Sequence, residues 1–319
     1  MMKTWKRAGI AAGLSLSLVL AACGAEEDEE DTTEGEAPEE TEENGADEGS
    51  NEEEAAGNIG EEVDYTITGI DAGAGVMAAA EQAIEDYELE DWSVQPSSSA
   101  AMTSALDDAI ANEEPIIVTG WNPHWKFAVH DLKYLEDPEG SFGEAEDIHT
   151  LVRSDLEADM PEAYQVLDNF YWEGEDMEEV MLEVNEGTEP EEAARAWVDE
   201  NEDMVSEWTE GVEEVDGEQI TFAFVAWDSE IASTNVVATV LSDLGYEVET
   251  NSMEAPIMFG AVAEDEADAM VAAWLPATHE QYYNDYEGEF EDLGANLEGA
   301  KIGLVVPEYV EADSIEDLQ

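Results

Sequence analysis

Basic residues are nearly missing from this chain. Its 319 residues include eight Lys and Arg against 85 Asp and Glu, a formal net charge of −77. A surface without cationic footprints cannot neutralise phosphates, so nucleic acid is excluded as a partner. Cysteine is almost absent as well. Cys23 stands alone, which rules out a disulfide framework or a cysteine-ligated metal cluster. No apolar run reaches the roughly 20 residues that a membrane-spanning helix needs. Nucleophile motifs, zinc-binding helix motifs and phosphate loops are missing too. An enzyme is therefore not expected, nor a cofactor or a metal. Paired carboxylates say nothing in a chain this acidic.

What is present begins with a basic stretch, MMKTWKR, and an apolar one, GIAAGLSLSLVLAA. Together they read as a secretion signal over residues 1–22. Leu20-Ala21-Ala22-Cys23 resembles the lipobox of bacterial lipoproteins. That implies cleavage before Cys23 and a diacylglyceryl anchor on its sulfur, with the protein tethered to the outer face of the cell membrane. Residues 23–62 follow as an acidic tether. Half of Ala25–Glu62 is acidic and none of it aromatic, so it cannot bury apolar surface and is expected to be disordered. Loss of Lys3, Lys6 and Arg7 with the signal leaves five basic residues against 85 acidic ones. Such self-repulsion destabilises a compact state in dilute buffer. It is screened at about 1 M salt, where the Debye length is roughly 3 Å. The composition points to a saline, halophilic setting.

From Val63 the chain repeats itself. Strand-like Tyr65–Ile70, a helix over Gly75–Tyr87, strand-like Trp92–Gln95, a helix near Ala100–Asn112 and Pro115–Val118 lead to Trp121. The order returns with Ile220–Ala226, Glu230–Leu244, Tyr246–Glu249, Ile257–Ala263 and Ala269–Ala273, leading to Trp274. Helical stretches show apolar spacing of three and four, and the strands are short and β-branched. Met160–Gly211 between the copies reads as mostly helical. Alternating strands and helices predict an α/β fold with parallel sheets. Ligands of such sheets lie beyond the carboxyl ends of strands, where the tryptophans fall.

Trp121, Trp227 and Trp274 each follow a buried strand. One such tryptophan is usually core; three at matching places in two copies suggest a cage. Aromatic faces attract weakly hydrated cations. A quaternary ammonium suits them because it brings no N–H groups that need acceptors. Asp71-Ala72-Gly73-Ala74-Gly75-Val76 joins a strand to a helix. Its backbone N–H groups, at Gly75 and Val76, can bind an anion where lysine and arginine are scarce. It lacks the dinucleotide glycine spacing. His124 and His279 follow their tryptophans as Trp-x-Pro-His and Trp-x-Pro-x-x-His. Either could donate to a carboxylate; His279 is taken as the ligand contact and His124 as a loop anchor. Ser97-Ser98-Ser99 reads as a helix cap.

The motifs ITGIDAGAGVM, SSSAAMTSAL, GWNPHWKFAVHDLKYLEDPEGSFG, IHTLVR, VAWDSEIASTNVV, LGYEVE, AWLPATH and GLVVPEYV, in this order, resemble the glycine betaine-binding lipoproteins of ABC importers in Gram-positive bacteria. The resemblance runs from about Val63 to the C-terminus. It implies a two-lobed periplasmic-binding-protein fold of type II, with a ligand held between lobes and delivered to an ABC transporter permease for osmoprotection. It implies a prism of Trp121, Trp227 and Trp274 around a trimethylammonium group. It also implies carboxylate contacts from the N–H groups of Gly75 and Val76 and from His279. The chain departs from the family at Ala72, where relatives often carry proline, and in its acidity. The lobes are expected at 63–145 plus 301–319 and at 146–300, in a monomer. The rival readings are a binding protein for choline or carnitine, a surface enzyme acting on choline-like compounds, and a purely structural acidic surface protein.

Overall fold

The computed structural model describes residues 59–319. The expected signal, Cys23 and the tether up to residue 58 lie outside the described residues. The last four residues of the segment read as tether form a helical turn, α1 (Ile59–Glu62), with Gly60 buried.

The first copy of the repeat then runs β1 (Thr66–Thr68), α2 (Gly75–Asp86), β2 (Ser93–Gln95), α3 (Ser99–Asn112) and β3 (Val118–Asn122). β1 pairs in parallel with both β2 and β3. Val76, Met77, Ala80 and Ala83 bury one face of α2, the three-and-four spacing that a helix on a sheet requires. Ser98 caps α3, its hydroxyl accepting from Ala101 N at 3.3 Å. The ladder of β3 begins at Val118, later than the expected Pro115, and it includes Trp121. Pro115 has no N–H to give to a sheet.

A short helix, α4 (Lys126–Val129), and a short strand, β4 (Leu132–Tyr134), lead to β5 (Glu146–Arg153). Five helices fill the span between the copies: α5 (Leu156–Asp159), α6 (Pro161–Asn169), α7 (Gly174–Asn185), α8 (Pro190–Glu200) and α9 (Glu202–Trp208). Pro161 and Pro190 start α6 and α8, where a missing N–H costs nothing. Trp172, Trp197 and Trp208 pack ring against ring among these helices, so these three are core.

The second copy runs β6 (Gln219–Phe224), α10 (Asp228–Asp243), β7 (Glu247–Ser252), α11 (Ala255–Ala263) and β8 (Ala269–Leu275). β6 pairs in parallel with β7 and β8. After α12 (Glu280–Asp285), the 18-residue β9 (Phe290–Pro307) closes the sheet, and a 3₁₀ turn (Ile315–Leu318) ends the chain.

The sheet order is β2-β1-β3-β9-β5-β8-β6-β7, with β4 pairing to β9. The parallel pattern expected from the sequence holds inside each copy. The two strands that join the copies are antiparallel to their neighbours. β5 leaves the first copy and pairs with β8 of the second. β9 leaves the second copy, pairs with β5 up to Ala300, and from Lys301 pairs with β3 of the first. Each enters its new neighbourhood directly, without the crossover helix that a parallel strand needs. The carboxyl ends of β3 and β8, and the loop after β6, carry the three candidate tryptophans.

Candidate functional site

Trp121 is the penultimate residue of β3, Trp274 lies in β8, and Trp227 just before α10, three residues after β6 ends. All three are buried. They line a cavity together with Ile70, Ala74, Gly75, Val76, Ser229, Thr278 and Ile302. In a chain with 85 acidic residues, not one charged side chain stands on this wall. A cation in it would meet aromatic faces rather than carboxylates.

Each ring is held by neighbours. The Trp227 indole N–H donates to Asp71 Oδ2 at 3.1 Å. Lys126 Nζ sits 4.5 Å from the centre of the Trp121 ring. Burial drives the Lys126 pKa down to about 7, with Asp228 pulling the other way. Trp274 N donates to His279 Nδ1 at 3.1 Å, and His279 N returns a bond to Trp274 O at 3.0 Å.

That bond settles the tautomer of His279. With Nδ1 accepting, the imidazole proton is on Nε2. Nε2 is buried and has no hydrogen-bond partner. Burial drives the His279 pKa down to about 3, so the ring is neutral. It stacks near Trp227, ring centres 6.2 Å apart at 23°, and is not itself part of the cavity wall. His124 mirrors it. Lys126 N donates to His124 Nδ1 at 3.1 Å, and Nε2 has no hydrogen bond, lying 3.7 Å from Asp228 Oδ2. Burial, then the Lys126 charge, hold its pKa well below the usual value. His124 is off the wall as well. Both histidines follow a cis proline, Pro123 and Pro276.

Gly75 and Val76 are on the wall, at the first turn of α2. Their N–H groups precede the first carbonyl that the helix can offer. Ala74 supplies no side-chain cap, and the first turn has no acidic residue, so the positive end of the helix faces an uncharged wall. A Cβ at Gly75 would come within 2.1 Å of Thr278 O; only glycine lets the turn of one copy touch the loop of the other. That loop is fixed by Glu146, whose carboxylate accepts from Ala277 N, Thr278 N and Thr278 Oγ1. Burial raises its pKa while these bonds lower it.

The structure thus brings Trp121, Trp227, Trp274, Gly75 and Val76 around one cavity, with His279 adjoining. Sequence reading missed Asp71, Ser99, Glu146 and Asp228, which hold the surroundings. One more acidic residue gave no signal among 85. Ser99 was hidden in a run that looked like capping; its hydroxyl donates to Asp228 Oδ2 at 2.7 Å. Among the described residues no cluster of His, Cys, Asp and Glu could hold a metal, and no helix is long and apolar enough to cross a membrane.

The substrate-binding domain of ABC-type glycine betaine transport systems matches residues 43–200 and 218–319. The glycine betaine/carnitine transport binding protein GbuC of Listeria monocytogenes serotype 1/2a (strain 10403S) is 58% identical over 269 residues, 83% of this chain and 90% of that protein. Lactococcal OpuAC, solved closed with glycine betaine, is 50% identical with a TM-score of 0.46, over 47% of this chain and 59% of that one. An ABC-transporter choline binding protein solved with choline is 26% identical with a TM-score of 0.44, over 58% and 61%. The matched parts are under two thirds of these two solved chains.

Proposed function

Since the chain belongs to the family of substrate-binding domains of ABC-type glycine betaine transport systems, we propose that its cavity binds glycine betaine between the two copies of the repeat. One observation carries this reading: three tryptophans, drawn from both copies, wall a cavity free of charged side chains. The trimethylammonium group lies among the three rings, each gaining from a desolvated cation–π contact. The carboxylate meets the N–H groups of Gly75 and Val76 at the α2 terminus and the unpartnered Nε2–H of His279. A primary ammonium would lose its hydrogen bonds to water on such a wall, so glycine itself is rejected.

The first lobe comprises residues 63–145 and 301–319, the second 146–300. The change of partner along β9 at Ala300 and Lys301 supports this division. The protein works as a monomer, anchored through Cys23 on the outer face of the membrane of a halophilic cell, and hands its ligand to an ABC permease.

A second reading has its own support. Ser229 Oγ is buried on the wall with no partner. A trimethylammonium acid that also bears a hydroxyl, such as carnitine, would give it one. Titration calorimetry at 2 M NaCl, about the salt level that screens this charge, tests both with glycine betaine, carnitine, choline and glycine. Glycine betaine binds and glycine does not; choline, lacking a carboxylate, binds more weakly. Choline binding as tightly as glycine betaine would remove the carboxylate site.

A further inference from the structure

The two copies of the repeat face each other twice, through related contacts. In one, the first turn of α2 from the first copy meets the Thr278–His279 loop of the second. In the other, the first turn of α10 from the second copy meets the His124–Trp125 loop of the first. The helices that follow agree with this pairing. A Cβ on Gly73, before α2, would lie 3.6 Å from Pro256 of α11. Ser99 of α3 bonds to Asp228 of α10.

The first contact surrounds the proposed carboxylate position. The second already holds a carboxylate. Asp228 accepts from Ser99 Oγ at 2.7 Å and from Trp125 Nε1 at 2.9 Å, with His124 Nε2 3.7 Å away. All three donor groups belong to the first copy, and Asp228 belongs to the second. Gly75 at the start of α2 is replaced at the start of α10 by this aspartate, next to the cage residue Trp227.

We propose that Asp228 is a built-in counterpart of the ligand carboxylate: it occupies the second, symmetry-related anion position and latches the two halves shut over the cage. The idea rests on the reading of the cavity given above, and adds that closure is held at two places, one filled by ligand and one by the chain. Because its donors all lie across the cleft, removing Asp228 costs neither half a hydrogen bond of its own. It is a positioning residue, acting on the lifetime of the closed state rather than on the ligand.

Asp228→Ala and Ser99→Ala, made in the full chain, test this by stopped-flow tryptophan fluorescence with glycine betaine. Dissociation should be at least about tenfold faster in Asp228→Ala, and several-fold faster in Ser99→Ala, with association within about twofold of wild type. A residue needed only for folding would lower the melting temperature without splitting the two rates. Dissociation within about twofold of wild type in both variants overturns the latch, as does a loss confined to association. If wild-type protein gives no signal with glycine betaine, the reading of the cavity fails by itself. Small-angle scattering of the ligand-free chains then decides: a larger radius of gyration in Asp228→Ala keeps the latch, and identical curves discard it.

Discussion

The indole N–H of Trp227 donates to Asp71 Oδ2 at 3.1 Å, tying a cage ring of the second copy to the turn that opens α2 in the first. Its backbone is fixed within its own copy, by Trp227 N donating to Val225 O at 2.8 Å, while the partner half orients the ring. Trp227→Ala should weaken glycine betaine binding at least about tenfold, or about 1.4 kcal/mol. Trp227→Phe keeps a face and should lose less. Asp71→Ala keeps the ring but frees it, and should fall between the two. Calorimetry on folded variants checks the order; unchanged affinity in Trp227→Ala removes the cage.

His279 separates carboxylate recognition from cation recognition. Its Nε2–H has no protein partner, so His279→Ala should weaken glycine betaine by about 1–3 kcal/mol and leave choline nearly unchanged. His124→Ala should not discriminate between them. The pH dependence follows from the bond between Trp274 N and Nδ1. A proton on Nδ1 would set two N–H groups against each other. With a folded pKa of about 3 against the ordinary 6.5, the unfolded chain takes up the proton first. The stability from neutral His279 is complete above about pH 6.5 and is lost as pH falls towards about 3. Binding should stay flat from neutral pH to about 4 and weaken only as pH nears about 3. Titrations across that range check it; a loss centred near the ordinary histidine pKa would contradict the buried, neutral ring.

Much of this was legible in the sequence, for a physical reason. A duplication writes its pattern twice, so Trp121 and Trp274 could be recognised at equivalent strand ends, and Gly75 by its place between strand and helix. The joining strands were less clear. IHTLVR and GLVVPEYV carried the resemblance but not a direction, and both proved to belong to strands that cross to the other half, β5 and β9. Strand composition records burial, not the direction of the neighbour. Asp71 and Asp228 were illegible because their partners are 156 and 103 or more residues distant, and a long-range bond leaves no local spacing.

Glu230 makes a separate pH prediction. It is fully buried in α10; Oε2 accepts from Val225 N at 2.9 Å and Oε1 has no partner. Burial pushes its pKa up to about 8, with the Val225 bond opposing. Its folded pKa lies above the unfolded value, so its contribution to stability is full below about pH 4.5 and is lost as pH rises through about 8. Glu230→Gln keeps an acceptor and cannot ionise. Whatever its offset in acid, the variant should gain on wild type in melting temperature between about pH 5 and 9. A gap that stays constant over that range would show that Glu230 does not titrate in the folded chain.

The salt response follows from the scarcity of countercharge. Five basic side chains lie among the described residues. Lys126 is buried under Trp121, and Lys301 lies over the Tyr134 ring. Lys133, Arg153 and Arg195 already pair with aspartates. Arg153–Asp268 is largely shielded, but the Lys133 and Arg195 pairs are exposed and worth little each, so the repulsion behind a net charge of −77 is left largely unrelieved. Raising NaCl from about 0.1 to 2 M shrinks the screening length from about 10 Å to below 3 Å, and the melting temperature should climb. Glycine betaine is net neutral, and its affinity should move much less. Salts also stabilise proteins by exclusion from their surface, but that effect continues to grow where screening has saturated. The repulsion account therefore requires most of the gain to come below about 1 M, and to shrink when exposed glutamates of α7 and α8 are changed to glutamine. A gain that is linear in salt and indifferent to those changes would assign it to exclusion instead.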